Sequence, residues 1–263
     1  MRHRRRRHVV LPLTAALSSM ALLVGCGSGS TGPSARPSLS ARPSSSATPL
    51  AGQSAGQIIA EAIGAVRAAG SVHVVAHDAS SSKSVTFIDD ISATAGREEI
   101  RTNGGGRATF LLIAGVGYLR GNAAALERYY EIPAPVAARL SGRWISIHHG
   151  DRGYQPLTSQ LRFPGFIDLI AIEAPLARRG SNLVGGQPAV GVQGTASAAS
   201  GAPAGSKATL YVASTGRPIP LSLVGTFRGV RVRVTFSNWG EALHLAPPVN
   251  SIPASSPASS LTL

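Results

Sequence analysis

The one cysteine of this 263-residue chain, Cys26, follows the small and apolar residues Leu23, Val24 and Gly25. Five arginines among the first seven residues precede an apolar run over residues 9–24, which is short enough for an export leader. This arrangement is typical of a bacterial lipoprotein signal, in which the leader is removed and the new N-terminal cysteine is lipidated. Two or more acyl chains, palmitate among them, hold a protein stably on a bilayer. We therefore expect a signal peptide over residues 1–25, lipidation of Cys26 and anchoring at the outer face of the plasma membrane.

Histidine pairs are the candidates for metal chemistry, and their spacing does not suit it. His148 and His149 are adjacent, so on a strand their side chains point to opposite faces. His73 and His77 share a face but lie about 13 Å apart along an extended strand. The chain contains no His-Glu-x-x-His spacing. The sequence therefore predicts no metal site and no cofactor.

Paired acids are the candidates for catalysis. The neighbours Asp89 and Asp90, and likewise Glu98 and Glu99, have the residue types for general acid/base chemistry, but a solvated strand end or turn is the simpler interpretation. The chain has no Gly-x-Ser-x-Gly motif, and the glycines at 104–106 predict a hairpin turn rather than a phosphate cradle. We expect no catalytic residue and no enzyme, with a hydrolase of unfamiliar type as an alternative.

The chain is strongly basic. Its 25 lysines and arginines against 12 acids give a net charge of +13, and without the five leader arginines 20 basic groups and +8 remain. A basic balance suggests nucleic acid, but an exported, lipid-anchored protein does not meet it, so we expect no nucleic-acid partner. Anionic headgroups attract basic side chains near a membrane by about 1 kcal/mol each, which makes the membrane the expected partner. The 23 arginines against two lysines indicate a GC-rich genome, such as that of an actinobacterium.

Composition divides the chain behind the leader into three parts. Lipidated Cys26 and a linker of Gly, Ser, Thr, Pro, Ala and Arg occupy residues 26–52, which cannot build a core. Residues 53–250 form the expected domain. The Pro- and Ser-rich residues 251–263 are expected to be a disordered tail.

The domain shows the periodicity of a helix followed by many strands. Apolar residues at helical spacing predict a helix over residues 54–69, which Gly70 ends. Alternation predicts strands over residues 71–77, 84–94, 98–102, 108–120, 143–148, 183–194, 206–214, 219–226 and 230–237, and composition predicts helices over 122–131, 135–140 and 156–176. Many neighbouring strands with few helices predict an α+β fold with one curved, mostly antiparallel sheet.

Five segments resemble, in the same order, segments of the LolA-like bacterial lipoproteins, above all the actinobacterial LppX/LprG group. They are the helix end with Gly-Ser-Val-His at 70–73, Leu-Ile-Ala-Gly-Val-Gly-Tyr-Leu-Arg-Gly at 112–121, Gly-Arg-Trp-Ile-Ser-Ile at 142–147, Leu-Tyr-Val-Ala-Ser-Thr-Gly-Arg-Pro-Ile-Pro at 210–220 and Phe-Ser-Asn-Trp-Gly at 236–240. The likeness covers about residues 54–250. It implies a half-barrel whose concave face is covered by helices and holds acyl chains of a lipid or glycolipid during transport in the cell envelope.

The same resemblance suggests partners. A lipid or glycolipid ligand and an envelope transporter are the partners that it implies. The alternative is a non-catalytic sensor or docking lipoprotein with no bound lipid.

A cavity wall can be assigned if residues 108–120 form one strand. The alternating set that contains the glycines leaves room for a ligand, and it would face the opening helix. The expected lipid-binding residues are Leu111, Ile113, Gly115 and Gly117 of the strand, with Ile58 and Ile63 of the helix.

Overall fold

A computed structural model describes residues 50–79 and 84–255 of the chain. The strands are β1 (Ser71–Ala79), β2 (Ser84–Ser92), β3 (Gly96–Thr102), β4 (Arg107–Ile113), β5 (Val116–Gly121), β6 (Ile145–Ile147), β7 (Ile172–Val184), β8 (Gln187–Ala196), β9 (Lys207–Ala213), β10 (Pro220–Phe227), β11 (Val230–Ser237) and β12 (Ile252–Pro253). The helices are α1 (Ala55–Ala69), α2 (Ala123–Tyr129), α3 (Ala134–Leu140), α4 (Tyr154–Ser159) and α5 (Phe163–Ile170), with a 3-10 turn at Ala198–Ser200.

These strands form one open sheet. Their order is β12-β6-β5-β4-β3-β2-β1-β11-β10-β9-β8-β7, so β12 and β7 are its two edges. Neighbouring strands are antiparallel except for β12, which is parallel to β6. The predicted α+β half-barrel is therefore confirmed.

Local signals fix the opening helix. The side chain of Ser54 accepts a hydrogen bond from the backbone N–H of Gln57, and the Gln57 side chain accepts one from the backbone N–H of Ser54. This reciprocal capping box begins α1. Gly70 ends it in the left-handed conformation (φ 73°), where glycine carries no Cβ penalty. The predicted helix over residues 54–69 is confirmed.

Hydrophobic alternation gives the correct strand over residues 230–237. Arg231 and Arg233 are exposed. The residues that alternate with them, Val232 and Val234, are half-buried, and Phe236 is buried. A strand covered on one face only has this pattern.

The prediction of one strand over residues 108–120 is wrong. Ala114 (φ 48°) and Gly115 (φ 80°) form a two-residue turn, and β4 and β5 pair as a hairpin with Ile113 opposite Val116. Two consecutive residues with positive φ are what a tight hairpin turn requires. The turn interrupts the alternation of side chains between the two faces of the sheet. One alternating pattern therefore cannot assign both the residues before the turn and those after it to faces.

Two more predicted elements are divided in the structure. The segment 183–194 spans the turn at Gly185 and Gly186 between β7 and β8, and both glycines have positive φ. The helix predicted over 156–176 is two helices, α4 and α5, followed by the start of β7. Apolar and alanine-rich composition favours a helix or a buried strand equally, and only pairing partners separate the two.

The ordered domain extends slightly beyond the expected residues 53–250. Leu50 is 2% exposed and Ala254 is 6% exposed, so both belong to the core. Ile252–Pro253 forms β12 and pairs with β6, which places part of the expected tail in the sheet. Cys26, residues 1–49 and residues 256–263 lie outside the described residues.

The sheet has two different faces. On the inner face, Val74, Phe110, Leu119 and Ile147 belong to one hydrophobic core with the helices. Helix α1 lies against β7 and β8, α2 against β4 and β5, α4 against β5, and α5 against β2. The residues that alternate with these form the outer face. No helix of the described residues is long and apolar enough to span a membrane.

Candidate functional site

The inner face is densely packed over β4, β5 and β6. Phe110, Leu112, Leu119, Ile145 and Ile147 are at most 1% exposed. Glycines bring the layers close together here: a Cβ on Gly121 would lie 3.1 Å from Cδ2 of Leu126 in α2. This half of the inner face has no room for a ligand.

The inner face is more open over β2, β1 and β11, between the strands covered by α1 and those covered by α2. Ala76 of β1 lies opposite Phe87 of β2 and opposite Val234 of β11. Two residues further along β1, Asp78 lies opposite Val85 of β2 and Val232 of β11. The apolar, half-buried residues of this region form what we call the open strip: Ala76, Val85, Phe87, Val232 and Val234.

One end of the open strip is closed by an aromatic cluster. Phe166 of α5 lies with its ring centroid 5.9 Å from Phe236 and 6.1 Å from Trp239. Val74, which pairs with Phe236, is 4% exposed. The strip therefore has a closed end at α5 and an open end at Val85.

A groove continues from the open end. It has a volume of about 410 Å³ and is lined by residues of the β2, β3 and α2 region: Ser84, Val85, Thr102, Asn103, Gly104, Gly106, Ala124, Arg128 and Tyr129. Ligand pockets in proteins measure about 300–1,000 Å³, so the groove alone accommodates a small ligand or part of a larger one. A second groove, of about 340 Å³, lies between the end of α1 and α5 and is lined by Arg67, Phe163, Pro164, Ile167 and Asp168.

Two carboxylic acids lie on the inner face at the closed end of the strip. Asp89 of β2 and Glu98 of β3 are directly opposite each other, and their strand neighbours on this face are Val74 and Phe110. Residues directly opposite have Cβ atoms about 4.5–5.5 Å apart. The hydroxyl of Tyr130, at the end of α2, donates a hydrogen bond of 3.3 Å to Glu98 Oε1. Asp89 Oδ1 is buried and has no hydrogen-bond partner among residues 50–79 and 84–255.

This carboxyl pair has strongly perturbed acidities. Burial raises the pKa of Glu98 from 4.5 to about 7, against the opposing effect of the Tyr130 hydrogen bond. Burial raises the pKa of Asp89 well above its ordinary value, and the charges of Glu98 and Asp90 raise it further. Burial next to Glu98 also raises the pKa of the Tyr130 hydroxyl. Because both pKa values are raised, the pair keeps a proton to higher pH than exposed acids do, and a protonated carboxyl group donates as well as accepts hydrogen bonds.

A third acid lies at the other end of the strip. Asp78 faces inward opposite Val85 and Val232. Burial raises its pKa, and the neighbouring His77 partly offsets that effect. The strip is thus an apolar surface with an acid at each end.

The outer face of the same strands holds its acids differently. Asp90 accepts from His73 Nδ1 at 2.6 Å and from Arg97 at 2.7 Å, and Glu99 pairs with Arg101 at 2.7 Å. His73 and His77 are engaged with Asp90 and Thr86. Within the described residues, no group of three or more metal-ligating side chains is found.

The structure separates the six residues predicted to line one wall. Leu111 and Ile113 are buried on the outer face, opposite Tyr118 and Val116. Gly117 pairs with Leu112 and Ile147 on the inner face, and Gly115 lies in the hairpin turn. Of the helix residues in the set, Ile58 is fully buried in the core and Ile63 is half-buried. One wall through all six is therefore excluded.

The space expected beside Gly117 is also absent. A Cβ on Gly117 would lie 2.8 Å from Cζ of Phe110, which is itself 1% exposed. Glycine at this position allows the Phe110 ring to pack against the backbone of β5. It does not leave a cavity there.

The prediction that Asp89 and Glu98 lie at solvated strand ends or turns is wrong, because they pair with each other within β2 and β3 on the inner face. A signal was present: Asp89 stands two residues from both Phe87 and Ile91, and Glu98 stands two residues from Ile100. Residues two apart on a strand share a face. An acid within an inward apolar set was the sign of a buried carboxyl group.

Comparison with known proteins identifies the fold. No protein-family model and no curated protein match the chain. LprF from Mycobacterium bovis superimposes with a TM-score of 0.50 and 17% identity, over 74% of this chain and 96% of LprF. Lipoprotein LppX from Mycobacterium tuberculosis gives a TM-score of 0.49 and 16% identity, over 73% of this chain and all of LppX. The superposition on LprF confirms the predicted resemblance for the fold.

Proposed function

We propose that this protein is a non-enzymatic lipoprotein of the cell envelope that binds the acyl chains of a lipid or glycolipid against the open strip and carries or presents that lipid. The observation that carries the proposal is the contrast within the inner face. Its β4–β6 half is fully packed, whereas five neighbouring apolar residues over β1, β2 and β11 remain half-buried.

An acyl chain fits this surface energetically. Each methylene group that leaves water contributes about 0.8 kcal/mol, and the half-exposed valines and Phe87 would gain burial at the same time. The groove of about 410 Å³ at the open end lengthens the apolar path beyond the strip.

The anchor is the second part of the proposal. Lipidated Cys26 and the linker that follows would hold the domain near the outer face of the plasma membrane. The exposed Arg231 and Arg233 on the outer sheet face are suited to anionic headgroups. An envelope transporter that loads or unloads the lipid is the expected protein partner.

Lipid carriage is tested by native mass spectrometry of residues 26–263 bearing Cys26→Ser, purified from a lipid-containing bacterium. We expect co-purified acyl lipids in this protein. Phe87→Gln places an amide in the open strip and should abolish them, whereas Thr86→Gln changes the next residue on the outer face and should not. If the protein is purified without lipid and does not bind added phospholipid, the proposal is refuted and a docking lipoprotein is favoured.

Anchoring is tested separately in the full chain. Cys26→Ala should give an unprocessed precursor that no longer incorporates a fatty-acid probe. Unchanged migration and labelling of the variant would refute lipidation at Cys26.

A further inference from the structure

The carboxyl pair of Asp89 and Glu98 lacks the partners that buried acids usually have. Among the described residues, neither carboxylate forms an ion pair with a basic side chain, and Asp89 Oδ1 has no hydrogen-bond donor. An unsatisfied buried acceptor costs stability comparable to a lost hydrogen bond. Within the described part of the chain, the side-chain donor that reaches the pair is the hydroxyl of Tyr130, and it binds Glu98.

The position of the pair relates it to the lipid surface. Along β2, Asp89, Phe87 and Val85 share the inner face. Four residues of strand span about 13 Å, so the carboxyl pair lies in line with the open strip, at its closed end. A ligand whose chain covers the strip would bring its polar end next to Asp89 Oδ1.

A metal ion fits this site poorly. Calcium takes about six to eight oxygen ligands, whereas the pair supplies two carboxyl groups and a phenol. An anionic group fits poorly as well, since charges of like sign repel strongly where the surroundings are apolar. A hydroxyl group fits this site, because it donates to the unpartnered Asp89 Oδ1 and also accepts a hydrogen bond from a protonated carboxyl group.

We infer that Asp89 and Glu98 bind an uncharged, hydroxyl-bearing polar group of the lipid. The protein would then select a glycerolipid or glycolipid in which the glycerol or sugar attached to the acyl chain carries a free hydroxyl. This inference rests on the proposed function and names the ligand class of the same site. Arg128 lines the groove at the open end of the strip. A lipid that also carries an anionic group at that end is therefore compatible with this site.

The test compares probes with one saturated alkyl or acyl chain of the same carbon number and different polar ends. Monopalmitoylglycerol carries hydroxyl donors, methyl palmitate carries none, and hexadecyl glucoside offers a sugar in place of glycerol. Calorimetric titration uses residues 26–263 with Cys26→Ser, the inner double variant Asp89→Asn/Glu98→Gln and the outer double variant Asp90→Asn/Glu99→Gln. Circular dichroism verifies that each variant is folded.

We expect the unmodified pair to bind monopalmitoylglycerol or hexadecyl glucoside about tenfold more tightly than methyl palmitate. The tighter of the two identifies a glycerol or a sugar as the source of the hydroxyl. The inner double variant should lose this preference and retain affinity for methyl palmitate, while the outer double variant should keep it.

Two results would overturn the inference. Equal affinities for all three probes, or a preference that survives in the folded inner double variant, would show that the carboxyl pair does not select the ligand, with lipid binding itself intact. If no probe binds any of the proteins, the proposed function fails and the inference fails with it.

Discussion

Strands β2 and β3 each carry two adjacent acids, one on each face of the sheet. The acids on the two faces have different partners. On the outer face, Asp90 and Glu99 are half-buried and contact His73, Arg97 and Arg101. On the inner face, their neighbours lie among apolar residues with the hydroxyl of Tyr130 as a donor. Residue type is the same on both faces, so the difference arises from what covers each face.

The comparison separates acids that stabilise the fold from acids that do not. Half-exposed ion pairs contribute up to about 1 kcal/mol each, whereas a buried carboxyl with a raised pKa destabilises the folded state when it ionises. A pair that lowers stability at the edge of an open apolar strip is more readily explained by binding than by folding.

The largest expected effect concerns packing. Leu112→Ala on the inner face removes a side chain that is 1% exposed in the main core, and such a cavity costs about 2–5 kcal/mol. Leu111→Ala on the outer face should cost less, because Leu111 is 8% exposed and lies outside the main core cluster that holds Leu112. Urea unfolding of both variants measures the difference, and equal losses would show that the two faces are packed alike.

The next effect concerns pH. The pKa of Glu98 is 4.5 in the unfolded chain and about 7 in the folded protein, so the folded state binds more protons between these values. The free energy of unfolding should therefore fall as pH rises from about 4.5 to above 7, by on the order of 3 kcal/mol. Thermal unfolding across this range checks it. Glu98→Gln should flatten the profile, and a variant profile as steep as the original would assign the effect to other groups.

A smaller effect is expected at Gly117. Gly117→Ala forces the Phe110 ring to move within a packed core, and overpacking costs about 1–3 kcal/mol. As a matched control, Gly64→Ala in α1 meets no atom within 4 Å and should stabilise the protein by up to about 1 kcal/mol. Differential scanning calorimetry compares them. A neutral Gly117→Ala would indicate free space beside β5.

The smallest effect is expected on the outer face. Asp90→Asn removes the ion pair with Arg97 and the charged acceptor of the His73 hydrogen bond, and it should cost about 1 kcal/mol, less at high salt. Denaturant unfolding at two salt concentrations measures the loss. If Asp90→Asn lowered the free energy of unfolding by more than Leu112→Ala does, the outer face and not the inner face would contribute more to stability.

The sequence by itself determined the elements whose signals are local. Ser54 and Gly70 bound α1, the alternation of valine and arginine specifies β11, and the order of strands and helices indicates an α+β fold with one curved, mostly antiparallel sheet. These signals depend on hydrogen bonds and side-chain periodicity within a few residues, which the sequence displays directly. Lipidation of Cys26 remains a prediction from the same kind of local pattern.

Only the tertiary structure decided which face each residue occupies and what covers it. The Ala114 and Gly115 turn moved Gly117 to the face opposite Leu111, because a hairpin restarts the alternation. The burial of Asp89 and Glu98 depends on helices distant in sequence that cover one face and supply no cation to it. Such placement arises from long-range strand pairing and helix packing, which a local pattern does not contain.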